Sequence, residues 1–216
     1  MTSMRFYATA GAVLSWFALL LQLGLMLAQS PAHGAAILGT VITFFSFFTV
    51  LTNLFVALVF TAVAFRSSGQ LGQFFRRPAV QASAVVFIVV VGVVYWRLLK
   101  HLWDPQGAQW VADSLLHTWI PLGYVLYWFL FGPKAGLRWP DAFTWLAYPG
   151  IYLVYILARG AASGLYPYPF VDVTELGYGR VFVHAGLLML AFSGLGLVVI
   201  ALGRALERPD KELPDA

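Results

Sequence analysis

Six apolar runs dominate the chain, at residues 6–27, 36–65, 80–99, 108–131, 142–158 and 181–202. Each is about long enough to cross a ~30 Å hydrocarbon layer as a helix. Short stretches bearing glycine, proline or charge separate them. The pattern predicts an all-α polytopic membrane protein, with six transmembrane helices in one bundle forming a single domain over residues 1–216. The first run is longer than the core of a usual signal peptide and five more follow it, so it reads as a retained first helix. The tail ERPDKELPDA is polar and contains proline, and is expected to fray.

Charge fixes the expected orientation. Of the 13 basic residues, nine fall on one side of a six-span topology: Arg5, Arg66, Arg76, Arg77, Lys134, Arg138, Arg204, Arg208 and Lys211. Arg97, Lys100, Arg159 and Arg180 fall on the other. The positive-inside rule then makes both termini cytoplasmic. The chain is 61% hydrophobic and only 10% charged, with a mean hydropathy of +0.81. A soluble domain carries about 25% charged residues, so none is expected here. The net charge of +4 resides in short cytoplasmic loops. Topology and anionic lipid account for it, and nucleic acid is not an expected partner. The absence of cysteine excludes disulfides, thiolate metal ligands and a Cys nucleophile.

Polar groups at membrane depth are costly, and they are where function is to be sought. The second run contains FFSFFTVLTNLFVAL. Read as one helix, it puts Ser46, Thr49 and Asn53 on one face at i, i+3 and i+7, with Thr52 off that line. Small hydroxyls at such positions commonly serve helix packing. Asn53 is harder to dismiss, because an amide in hydrocarbon needs partners. The fourth run carries Asp113 four residues before His117, one helical turn away on the same face. A carboxylate there can hold the imidazole in one tautomer. Arg97 and Arg159 lie near the outer ends of their helices. Either snorkels to head groups or holds a substrate carboxylate at a cavity mouth. Asp172 and Glu175, in the long third outer loop, read as solvated or paired with Arg180. Pro167 and Pro169 stiffen that loop, and Tyr166, Tyr168 and Phe170 make it amphipathic.

Three motifs carry a resemblance. FFTVLTNL in the second helix, LLHTWIPL in the fourth and GLYPYPFVDV before the last resemble the androgen-induced and androgen-dependent membrane hydrolases, and their bacterial branch more closely still. The pattern spans nearly the whole chain. The eukaryotic members are threonine hydrolases of fatty acid esters of hydroxy fatty acids. By motif, the resemblance implies Thr49 as nucleophile and His117 as its base, with Thr52 a competing alignment. One departure stands out. The eukaryotic members have an Asn-His pair ahead of their His-Thr, whereas DSLL precedes His117 here. Asp113 is therefore a reading of spacing, not a transferred residue.

The implied chemistry is ester cleavage in the outer half of a bacterial cytoplasmic membrane, without a cofactor or metal. His117 takes the Thr49 proton and returns it to the leaving alkoxide. Asp113 orients the ring, and the Asn53 amide is the candidate oxyanion donor, with Ser46 in support. Arg97 or Arg159 binds a free carboxylate, and membrane lipids surround a fatty acyl ester substrate. Two rival classes remain open. One is a b-type haem protein using His117 and His184. The other is a lipid-binding or transport protein that does no hydrolysis.

Overall fold

The computed structural model describes residues 3–30 and 34–207. Arg208, Lys211 and most of the polar tail lie outside the described residues. Among those described there are helices and no strands. Among the described residues six helices are long and apolar enough to cross a membrane, and large apolar side chains such as Phe6, Ile151, Val154 and Leu190 cover the outside of the bundle. The chain is thus an integral multi-pass membrane protein of the all-α class.

The elements in order are α1 (Ser3–Ala28), α2 (Gly34–Phe44), α3 (Phe48–Phe65), α4 (Gln70–Arg76) and α5 (Pro78–Val94), which ends in a π-helical turn (Tyr95–Leu99). Then come α6 (Gly107–Ser114), a second π-helical turn (Leu115–Trp119), α7 (Ile120–Phe131), α8 (Asp141–Thr144), α9 (Ala147–Ser163) and α10 (Val173–Leu206). The central helix is α3, with 67% of its span buried against at most 50% for any other. The small buried residues Ala8, Ala12, Ser15 and Ala18 line the inner face of α1. They let it pack along α3, as small residues do where lipid gives no hydrophobic drive.

The second apolar run is not one helix. It breaks at residues 45–47, between α2 and α3, although FFSFF contains neither proline nor glycine. Phe47 is extended (φ −85°, ψ 124°) and precedes the first turn of α3. Ser46 therefore sits in the break, not on a helical stripe with Thr49 and Asn53.

One end of the bundle gathers the basic residues. Arg5 Nε donates to the Ala64 carbonyl at 3.3 Å, and Arg204 donates to the Leu137 carbonyl at 3.2 Å. Lys134 Nζ closes α7 by donating to the carbonyls of Trp128 and Gly132, each at 2.8 Å.

At the opposite end the last helix starts earlier than its apolar run. Asp172 accepts from the Thr174 and Glu175 amides, so it is an N-cap and not a partner of Arg180. Gly177, at φ 72°, interrupts the following turns in a conformation that glycine adopts at little cost. The Thr174 hydroxyl and the two amides hold the Asp172 carboxyl below its ordinary 3.8. A lowered value means the cap is complete above pH 3.8 and is lost as the pH falls through the lowered value. At neutral pH, Asp172→Ala is expected to lower the hydrogen-exchange protection of Thr174 and Glu175, relative to the unstructured rate at the same pH, and acid is expected to lower it in the wild type. Asp172→Asn keeps a good cap and should stay protected at both pH values. Equal exchange in all three proteins would show that the cap holds nothing.

Candidate functional site

The break in the second run exposes backbone groups that must find partners at membrane depth. Tyrosines supply them. Tyr152 Oη donates to the Ser46 carbonyl at 2.9 Å. The Ser46 hydroxyl donates back to Ile42 O at 2.7 Å and lies 3.1 Å from Tyr155 Oη. Thr52 Oγ1 lies 3.4 Å from Tyr148 Oη. Tyr148, Tyr152 and Tyr155 stand at i, i+4 and i+7 on one face of α9, which matches the hydroxyls of α3 and the break. From the opposite end of the bundle, Tyr168 enters between Pro167 and Pro169. Its oxygen accepts the Thr49 amide at 3.3 Å. Phe170 stacks on the Tyr168 ring at 5.2 Å. Burial holds the Tyr168 phenol above its ordinary value, against the opposing pull of the Thr49 and Phe48 amides and neighbouring hydroxyls.

Thr49 opens on a cavity whose empty space, about 640 Å³, runs on into the open surroundings of the bundle. Valines of α5, Phe48, Leu188, Met189 and Phe192 make its walls, and the hydroxyl-bearing residues lining it are Thr49, Tyr152 and Tyr168. Thr52 is wholly buried against Tyr148 and does not line this cavity. Of the two threonines left open by the motif, Thr49 is the one a ligand can reach.

His117 sits in the second π-helical turn, a feature frequent at functional sites. Its Nδ1 lies 3.1 Å from the Asp113 carbonyl and 3.1 Å from Asp113 Oδ1. The hydrogen-bond angle suits the carbonyl, so Oδ1 is left buried without a well-aligned donor. Tyr95 donates its hydroxyl to the other Asp113 oxygen. The Tyr95 ring also stacks on the imidazole, with centroids 3.9 Å apart and planes 11° off parallel. Asp113 and His117 thus come together as their spacing predicts. A carbonyl can only accept, so Nδ1 is the donor there, and in the neutral ring Nε2 carries the lone pair.

Asn53 does something other than await an oxyanion. Its Nδ2 donates to Thr49 O at 2.9 Å and to Leu116 O at 3.1 Å. The second bond has a cause in the sequence. The Ile120 amide pairs with Leu115 O in the π turn, and residue 121 is a proline with no amide to give. Leu116 O is thereby orphaned, and Asn53 fills it. Both amide hydrogens are spent on carbonyls, which removes Asn53 as the oxyanion donor.

The expected meeting of Thr49 and His117 is not found. The imidazole lines a separate groove, of about 740 Å³, with Trp96, Arg97, Thr118 and Pro121. Helix α5 runs between the two spaces. Val90, Val91 and Val94 face the cavity, whereas Val89, Gly92, Val93 and Trp96 face the groove. The helices themselves are close, since one Asn53 nitrogen binds carbonyls on both. Arg97 shares the groove with His117. Arg159 lies elsewhere: it donates to Thr43 Oγ1 at 3.1 Å and to Leu165 O at 3.2 Å, away from the Thr49 cavity. His184 has Nδ1 3.1 Å from Phe170 O and anchors the proline-stiffened loop. It lines neither the cavity nor the groove, so it does not face His117 as a haem ligand pair would.

Tyr95, Tyr152 and Tyr168 are the site residues that sequence reasoning passed over. The α9 tyrosine spacing was a legible signal for Tyr152. Nothing local marks Tyr95, whose partner Asp113 comes from another helix. No protein-family model, curated protein or solved structure matches this chain.

Proposed function

We propose that this chain is an intramembrane carboxylic ester hydrolase acting on a lipid ester, with Thr49 as nucleophile. The observation that carries the reading is the Thr49 side chain, 8% exposed, on the wall of an otherwise greasy cavity of acyl-chain character. Thr49 Oγ attacks the ester carbonyl, its proton passes to His117 Nε2, and the alkoxide leaves with that proton as an alcohol. Water then hydrolyses the Thr49 acyl ester and releases the fatty acid. In the resting protein Asp113 and Tyr95 hold the imidazole on the groove side of α5. Contact between Thr49 and His117 requires the ring to leave its stack on Tyr95, or water to bridge past α5. Catalytic hydrogen bonds commonly tighten only in the substrate complex. The basic end is the cytoplasmic end by the positive-inside rule, so the cavity belongs to the outer half of a bacterial cytoplasmic membrane. Arg97 is the better placed of the two arginines for a carboxylate near His117.

One observation favours a second reading. Thr49 and His117 open on different faces of α5, as suits a protein that binds or moves acyl lipids without cleaving them. A fluorophosphonate probe followed by a lipid-ester panel separates the two. Hydrolysis predicts an adduct that mass mapping places on Thr49. An adduct on Thr52 or Thr118 moves the nucleophile. No adduct and no cleavage, with fatty acid still bound, favours carriage over chemistry.

A further inference from the structure

The Thr49 cavity has a polar end, and its position is set by the break before α3. Released from α2, the first amides of α3 have no carbonyl one turn back. They carry the positive end of an 18-residue helix. In a water-poor setting such an end must be filled. Tyr168 fills it. The Thr49 amide bonds its oxygen at 3.3 Å, and the Phe48 amide and the hydroxyls of Thr49 and Tyr152 also approach that oxygen. Only the Thr49 amide meets it with good geometry. The Tyr152 proton is already given to Ser46 O. The Thr49 hydroxyl, on a residue more than nine-tenths buried, forms no well-aligned hydrogen bond and borders the empty space.

A phenol oxygen that accepts the Thr49 amide, with the Phe48 amide nearby, occupies the place where a ligand's oxygen belongs. The rest of the lining is almost wholly carbon, so the ligand that fits has one oxygen-bearing head and a long apolar tail. We propose that the amides of Phe48 and Thr49 bind the carbonyl or carboxylate oxygen of a fatty acyl ligand, and that Tyr168 holds that place in the empty protein and is displaced on binding. The proposal rests on the acyl reading of the cavity, but not on cleavage. If the ligand is an ester, the same amides supply the oxyanion donors that Asn53 does not.

The plug arrives on a short braced loop, and its displacement is part of the proposal. Pro167 and Pro169 flank Tyr168, His184 holds Phe170 O, and Tyr166 lies against Gly160, where an added Cβ would fall 2.0 Å from its ring. Tyr168 also packs on aromatic rings, of Phe47 at 6.0 Å and Phe170 at 5.2 Å. Tyr168→Phe deletes the competing oxygen and keeps those contacts.

Lauric acid binding to wild type and Tyr168→Phe, both in nanodiscs, tests this, with dodecane as the headless control. The variant is expected to bind lauric acid about tenfold more tightly, the worth of roughly one hydrogen bond released from competition. Dodecane binding should not change. Weaker or unchanged lauric acid binding by Tyr168→Phe overturns the plug, as does failure of both proteins to bind lauric acid. A second measurement needs no variant. In the wild type, lauric acid should speed hydrogen exchange across residues 164–171 and slow it at Phe48 and Thr49, and no change at either place also overturns the proposal. Ester cleavage is assayed separately. Tighter lauric acid binding with no cleavage of any ester removes the hydrolase reading and leaves this one standing.

Discussion

Thr49→Ala is expected to lower lipid-ester cleavage by about a thousandfold or more, the scale on which activated-nucleophile sites fail when the nucleophile is deleted. The protein should remain folded. The substitution removes one methyl and one hydroxyl from a cavity wall, for about 1 kcal/mol of lost burial, and leaves the Thr49 amide on Tyr168. Thr49→Ser keeps an attacking oxygen and should retain a measurable part of the rate. Thr52→Ala is the internal control. It loses the contact with Tyr148 and should cleave within a few-fold of wild type. Initial rates on one ester, read beside thermal unfolding in the same detergent, decide the matter. Wild-type rates from Thr49→Ala would end the assignment, and a dead but folded Thr52→Ala would transfer it.

Asn53→Leu should destabilise the bundle by about 2 kcal/mol, with a range of roughly 1–3 for a buried acceptor left without its donor. The acceptor is Leu116 O, orphaned where the π turn meets Pro121. A loosened turn also releases His117, so the loss of activity should exceed the loss of folded protein. The origin of the orphan suggests its own repair. Pro121→Ala restores an amide that Leu116 O can accept in π-turn register. In the Asn53→Leu background it should recover part of the lost stability, whereas alone it should change little. A double-mutant cycle by thermal unfolding reads the coupling. Additive effects would mean that Asn53 and the proline gap are unrelated.

Much of this architecture can be read from the sequence because lipid imposes it. Span number follows from apolar length, and the clustering of Arg5, Lys134 and Arg204 at one end follows from loop charge. The Asp113–His117 pair was legible because both residues lie on one helix, where spacing is geometry. The break at Ser46 was not legible. Its cause is tertiary, since the carbonyl it frees is satisfied by Tyr152 from α9, and no local residue betrays that. The facing of Thr49 and His117 failed for a related reason. A helical stripe shows which residues share a face but not which neighbour that face meets, and α5 came between them. Asn53 stands out in the sequence as an amide in need of partners. The identity of the partner could have been found from Pro121, which removes a donor in the middle of an otherwise helical run.

The two π-helical turns, at Tyr95–Leu99 and Leu115–Trp119, have a consequence for how this chain compares with others. Such a turn is an α-helix carrying one surplus residue. Each residue advances the helix by about 100°, so loss of the surplus would leave a helix of nearly equal length whose later side chains point a quarter-turn or more away. Arg97 and His117 both lie inside these insertions. A chain that lacks either extra residue can match this one in hydropathy along the whole span and still aim a different side chain into the groove, so pairing residues by position through 95–119 is safe only where the phase has been checked.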